Sequence, residues 1–564
     1  MSVDSSPISF GRRYSTRRQF LTRSAVAMAG WHAHAQLASG MMGASRIIPN
    51  TAAARRTNHN TWLPEPPPND LFRELALVAM DVATQAGADF ADIRIGVQRE
   101  CMNDWAQIAF GYGIRARVSG TWSFEHGTVL TRDGVASMTR AAVAGARTAA
   151  AVNAGIGFRT PEPIASVPVV TGEWHAPIEV DPFSVPLDDF RRAERLFDGP
   201  VKRLGFSAAG GSLRWMQEIR VFASTEGSLV TQSWTRGGLT VSGSVALPDN
   251  RSDTVGFQLG RPDGESVGFE VLYRPDYADR LVAAAETAIR WRELPLKSFS
   301  DVGRFPVVLD GAAFAAIVGN TLSLALDGDR LSGNESDASG RSFVQPFAAH
   351  PIQPPPEFSP LLSMHSHRSM PSSTAVQWDD DGVAPVACTL VDRGTIVDFH
   401  TTRETAPRFE EWYGVRHRSV RLSGRALAPT PASIPMAIGG EVHVEPSVTR
   451  AADADLYRDV SHGFYIQGGR VDPSPGLTMG VFMPDFVAEI VRGKPVARID
   501  NLSMAFLTSA MLRTGLVAVG DATTVGASVV RTPKGMPWQY LEHPVTAPSA
   551  RCKEMDVLRT DLSR

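Results

Sequence analysis

The residues of this chain best suited to chemistry are thinly spread. "MHSHRSM" places His365 and His367 two apart. On a strand their imidazoles would share one face and, with a third ligand such as His400, could hold a metal. The preceding "PIQPPPEFSPLLS" is rich in proline and serine and predicts instead a solvated loop. "WDDDG", Trp378 to Gly382, groups three aspartates as a calcium loop does, but it lacks the alternating spacing and closing glutamate of such a loop and predicts a charged turn. Cys101, Cys388 and Cys552 are odd in number and far apart, which gives neither a disulfide framework nor a CxxC metal pair. The serines of "GGSL" and "STEG" lack a nucleophile-elbow pattern, and no GxGxxG or GxxxxGK phosphate loop occurs. In "LDGD", Asp327 and Asp329 read as braces of a turn after a helix, with Asp327 the best polar candidate for a cavity.

The elements that must position these residues follow from periodicity. "LFRELALVAMDVATQAG" is helical up to Gly87, and "ADFADIRIGVQRE" alternates as a strand. "GYGIRARVSGTWSFEHG" reads as two strands joined at Ser119-Gly120, and the alanine-rich "VASMTRAAVAGARTAAAVNAG" as a helix. Residues from about Glu218 to Ala246 alternate as a hairpin, and Pro275 opens a further helix. After Pro295 the character changes. "FPVVLD" predicts a strand and Gly311 to Leu326 a helix, followed by segments rich in glycine, proline and β-branched residues, with hairpin turns at Arg393-Gly394 and Arg492-Gly493. The fold class is α+β: a mixed α/β domain over 69–296, then a β-rich domain over 297–564.

Bulk properties exclude several functions. With 43% apolar and 20% charged residues and a net charge of −3, the chain offers no basic surface for nucleic acid. No apolar run is long enough to span a membrane. The N-terminus contains "STRRQFLTRSAVAMAGWHAHAQ". Arg17 and Arg18 before Gln-Phe-Leu, a short weakly apolar stretch and an Ala-His-Ala cleavage site resemble a twin-arginine export signal over 1–35. Residues 36–68, ending "LPEPPPND", read as a linker. The expected location is periplasmic or extracellular.

Taken in order, "GADFADIRI", "GYGIRARVSGTWSFEHG", "FASTEGSLV", "GRFPVVLDGAAFAAIVGNTL", "LVDRGTIVDFHTTRETA" and "SGRA" resemble the TldD/PmbA family, the modulators of DNA gyrase that include metallopeptidases. The resemblance runs from about 70 to 560. It implies an α/β N-terminal domain, a β-rich C-terminal domain and dimers enclosing a peptide-sized cavity. Its peptidase members carry His-Glu-x-x-x-His on the central helix, then "GLEGD", and a cysteine in a Cys-Gly-Lys-Gly context. Two imidazoles and a thiolate hold zinc with one position open to water, and the glutamate handles the proton. Histidines five apart lie roughly 140° apart on an ideal helix, so such a helix must distort locally.

Against that motif this chain reads "GNTLSLALDGD". Gly319 stands at the first histidine, Asn320 at the glutamate and Leu324 at the second histidine. Thr532, in "RTPKG", stands at the cysteine, with Lys534-Gly535 retained. Ligand chemistry is absent from all four positions, and no metal is expected there. Cys552, 20 residues beyond Thr532, is the one thiol a relocated site could use.

The resemblance therefore implies a family member without its zinc site. It would be a non-catalytic PmbA-type subunit or a peptide-binding module, partnered as a homo- or hetero-oligomer with a TldD/PmbA-type homologue. The alternatives are a peptidase or hydrolase with a relocated metal or another acid/base pair, and a ligand-binding exported protein unconnected to peptides.

Overall fold

The computed structural model describes residues 52–55 and most of 66–559. The short stretches outside the description include 157–162, 247–251, 258–264, 336–340 and 346–355. Arg17, Arg18 and most of the helix expected after Pro275 also lie outside the described residues. Residues 51–564 form one compact unit.

The helix Asn69–Gln85 buries Phe72, Leu75, Ala76, Ala79, Met80 and Ala83, one stripe at helical spacing. Gly87, at φ +81°, ends it in the left-handed conformation. A second helix, Arg132–Gly155, starts at Thr131, whose hydroxyl accepts the Gly134 N–H. Both helices cover one face of an eight-stranded sheet ordered Ala52–Arg55, Trp105–Val118, Phe90–Met102, Ala208–Ser224, Leu229–Ala246, Thr171–His175, with Thr121–Gly127 and Ser252–Phe257 paired outside that path. The stretch read as a linker thus contributes an edge strand, Ala52–Arg55. The expected turn at Ser119-Gly120 is present, with positive φ at both residues.

In Phe90–Met102 both faces are buried for different reasons. Ala91, Ile93, Ile95 and Val97 pack under the helices, while Asp92 and Arg94, also fully buried, point the other way.

The C-terminal half holds a ten-stranded and a six-stranded sheet. Between them lies the helix Gly311–Val318, followed by a π-helical turn over Gly319–Ser323. Apart from half-buried Ala312 and Asn320, every residue from Gly311 to Leu331 is buried, as an apolar "AAFAAIV" requires. Asp310 caps the helix, its carboxylate accepting from the N–H groups of Ala313 at 2.7 Å and Gly468 at 3.0 Å. The six-stranded sheet runs Thr395–Ile396, Cys388–Asp392, Met364–His367, Glu441–Val444, Gln539–Ala547, Gly526–Lys534. Turns at Arg393-Gly394 and Arg492-Gly493 fall where the sequence predicts them.

Candidate functional site

The motif helix packs on the inner face of the six-stranded sheet. A Cβ built at Gly319 would lie 2.4 Å from Val530 Cγ2 and 2.9 Å from Val545 Cγ2, so the two valines occupy the space a larger side chain would need. Asn320 donates its side-chain amide to Ala316 O of its own helix at 2.9 Å. Leu324 is core. Thr532 is buried on the same inner face and its hydroxyl turns to Pro533 O. A hydrogen atom, an amide bonded to its own helix, an isobutyl group and a hydroxyl do not fit a zinc ion. The π turn nevertheless supplies the local distortion that residues five apart would need to converge.

Beside these positions lies a buried charge cluster. Asp327 Oδ2 accepts from Lys534 Nζ at 2.6 Å, and its Oδ1 lies 3.0 Å from His400 Nδ1. Lys534 also faces Glu335 Oε2 at 3.1 Å and donates to Ala437 O, while Arg330 pairs with Glu335 at 3.0 Å. A backbone bridge sets Asp327 beside His400: the Gly328 N–H donates to His400 O and the His400 N–H to Leu326 O. Burial alone would raise the Asp327 carboxyl, but Lys534 and His400 hold it below the usual carboxylate range. Burial works against the Lys534 ammonium, and Asp327 and Glu335 more than offset it. Asp329, whose carboxylate accepts the Ala437 N–H, is pushed up by burial. His543 Nε2 lies 3.3 Å from Ser323 Oγ, and burial holds that imidazole down to about 3. His400 is likewise lowered by burial, against the pull of Asp327. Asp327 is thus fully enclosed and does not line a cavity.

Three expectations need correction. His400 cannot be a third ligand with His365 and His367, because it is buried on the inner side against Asp327. His365 and His367 sit on a strand of the six-stranded sheet, not in a solvated loop, since pairing with Cys388–Asp392 and Glu441–Val444 satisfies their backbone. Cys552 is enclosed in the core, and burial pushes its thiol up to about 12, far from a thiolate.

The aspartates of "WDDDG" are buried and bind the two halves of the fold together. Asp379 accepts from the N–H groups of Asp381, Val383 and Ala426. Asp380 pairs with Arg220 and accepts the Ala428 N–H at 2.7 Å. Asp381 pairs with Arg115 at 2.6 Å and accepts the Arg403 N–H at 3.0 Å. Arg115 in turn holds Asp92, which pairs with Arg94 at 2.7 Å. Above this network a small cleft is lined by Phe90, Arg115, Trp122, Asp381, Arg403 and Glu404. Burial lifts the Glu404 carboxyl to about 7, with Asp329 adding to the effect.

His367 meets two residues that the reading of local motifs missed. Its Nε2 lies 2.7 Å from His443 Nε2, and His443 Nε2 lies 3.7 Å from Glu441 Oε1. "EVHV" was the available signal: a strand alternation placing Glu441 and His443 on one face.

Residues 302–559 match the family described as PmbA/TldA metallopeptidase C-terminal domain. Over these residues the chain carries a TldD/PmbA family domain. The solved structures it resembles include a Bacteroides thetaiotaomicron protein described as a modulator of DNA gyrase, with TM-score 0.59, 14% identity, and coverage of 86% of this chain and 98% of that one. A Thermotoga maritima protein described in the same terms gives TM-score 0.58, 13% identity, and coverage of 86% and 100%. TldE from Thermococcus kodakarensis gives 0.56, 14%, 86% and 99%. At these identities the likeness establishes the TldD/PmbA fold, which is the expected α+β architecture. No curated protein matches the chain. Among the described residues no helix is long and apolar enough to cross a membrane.

Proposed function

We propose that this TldD/PmbA protein is a non-catalytic, PmbA-type subunit or peptide-binding module of metallopeptidase descent, exported through the twin-arginine signal at Arg17 and Arg18. One observation carries the reading: Val530 and Val545 fill the space beside Gly319, where a peptidase of the family carries its first zinc ligand. Asn320, Leu324 and Thr532 agree with it, since none offers a metal or a water the required donor. The scaffold around the emptied positions is intact, down to the π turn. A homologue retaining the zinc helix is the expected partner in a hetero-oligomer.

The test is purification from the native host, with zinc and peptide hydrolysis measured for this chain alone and for whatever co-elutes. The expected result is a zinc-bearing homologue with hydrolysis only in its presence. Hydrolysis by this chain alone, or co-elution without any homologue, would sink the proposal.

A second reading, a hydrolase with a relocated metal, is favoured by the approach of His367, Glu441 and His443.

A further inference from the structure

We propose that His367, His443 and Glu441 form a site for a zinc-class divalent cation on the outer face of the six-stranded sheet. Register creates it. His367 on Met364–His367 stands opposite Glu441 on the antiparallel strand Glu441–Val444, and His443 follows two residues later on the same face. Met364, Ser366, Val442 and Val444, the alternate residues, are buried on the inner face. The site is therefore separated from the motif helix by the thickness of the sheet. One ligand atom from each of the three side chains lies within 4.8 Å of the others.

The donor set suits zinc, cobalt or nickel, which favour imidazole with a carboxylate. Tetrahedral zinc at roughly 2.0–2.1 Å from each nitrogen sets the Nε2 atoms about 3.3 Å apart. They stand 2.7 Å apart, and Glu441 is 3.7 Å from His443, so small side-chain rotations admit the ion. The rings are already stacked, with centroids 4.7 Å apart and planes within 18°. Three protein ligands leave coordination open for water or an external group, and the site is reachable, with the His443 side chain 36% exposed.

The outer nitrogens are held as metal-bound imidazoles require. His443 Nδ1 lies 2.5 Å from Thr546 Oγ1, presented by the neighbouring parallel strand in register with His443. His367 Nδ1 lies 3.0 Å from Ser369 Oγ. The Ser369 backbone N–H donates to the same nitrogen at 3.3 Å; the metal-bound tautomer, with its proton on Nδ1, exchanges that bond for one to the Ser369 hydroxyl. His365, the neighbour on the same face, is engaged elsewhere: Nε2 with Glu445 at 2.6 Å and Nδ1 with Thr389 at 3.2 Å.

The experiment is titration of the purified full chain with Zn²⁺, and then Co²⁺, after chelator treatment. The expected result is one ion per chain, lost at least a hundredfold in affinity in His367→Ala and His443→Ala, and unchanged within about threefold in His365→Ala. Thr546→Val, which spares all three ligands, should weaken binding roughly tenfold. It covers the case in which a ligand variant does not fold. The Co²⁺ spectrum should lack a thiolate charge-transfer band. No uptake by the wild type, uptake undiminished in both histidine variants, or a thiolate band would overturn the proposal. Binding is read without a peptidase assay, so its failure leaves the non-catalytic reading standing. Peptide hydrolysis by the chain alone would sink that reading without touching this one.

Discussion

Lys534 and Asp327 meet at 2.6 Å, both fully shielded from solvent, although 207 residues separate them in the chain. The contact joins what remains of the C-terminal cysteine segment to what remains of the helix motif. The resemblance implies a metal joining these two segments in the family's peptidases; here they are joined by a salt bridge between two positions the motifs retain.

That pair should be costly to break and poor to replace singly. Lys534→Met leaves buried Asp327 with only the neutral His400 beside it, while Glu335 keeps Arg330, and should destabilise the fold by about 3 kcal/mol. Denaturant unfolding measures it, and a loss below about 1 kcal/mol would show that the cluster is hydrated or rearranged.

Restoring a ligand should not restore the site. Gly319→His must displace Val530 and Val545, costing roughly 2–3 kcal/mol or more, without adding zinc to the chain. Adding Val530→Ala should recover part of that stability. A stable Gly319→His protein that gains a zinc ion would refute the packing argument.

Two buried histidines should make stability fall as pH drops below 6.5. His543 and His400 are held neutral by burial, His543 down to about 3 against an ordinary 6.5. The unfolded chain takes up protons below 6.5 while the folded chain does not, so the contribution is complete above 6.5 and lost as pH falls toward 3. For His543 the full span is worth roughly 3–5 kcal/mol. Unfolding midpoints compared at pH 7 and pH 4.5 should converge in His543→Gln relative to wild type. Equal pH slopes in the two proteins would mean that His543 is solvated.

The buried aspartates of "WDDDG" should act as a clamp between the sheets. Asp380→Ala leaves Arg220 with Glu218 as its remaining carboxylate and takes the acceptor from the Ala428 N–H, and should cost about 1–3 kcal/mol. Native-state proteolysis should then cut first at the junction of the N-terminal sheet and the C-terminal half. Cleavage unchanged from wild type would remove the clamp from the account.

Export can be tested directly. Arg17→Lys with Arg18→Lys should leave the protein in the cytoplasm, read by cell fractionation of the native host. A periplasmic or extracellular double variant would exclude the twin-arginine route.

The sequence by itself determined the local elements and the family. Helical stripes such as Phe72, Leu75 and Ala79, strand alternation such as Ile93, Ile95 and Val97, and turns at Ser119-Gly120, Arg393-Gly394 and Arg492-Gly493 depend on residues near one another in the chain, where periodicity and backbone preference decide. It also determined the missing ligands, because Gly319, Asn320, Leu324 and Thr532 have no imidazole, carboxylate or thiolate to offer in any fold. Tertiary structure alone decided which polar groups meet. Local composition placed His365 and His367 in a solvated loop, gave the turn at "WDDDG" without the partners of its aspartates, and left Lys534 an unassigned remnant. Strand pairing instead brought His367 to Glu441 and His443, buried the aspartates against Arg115 and Arg220, and closed Lys534 onto Asp327. Such partners lie tens to hundreds of residues apart, and burying a charge is tolerable only when its partner arrives with it. That condition is set by the packing of sheets, and no short window of sequence contains it.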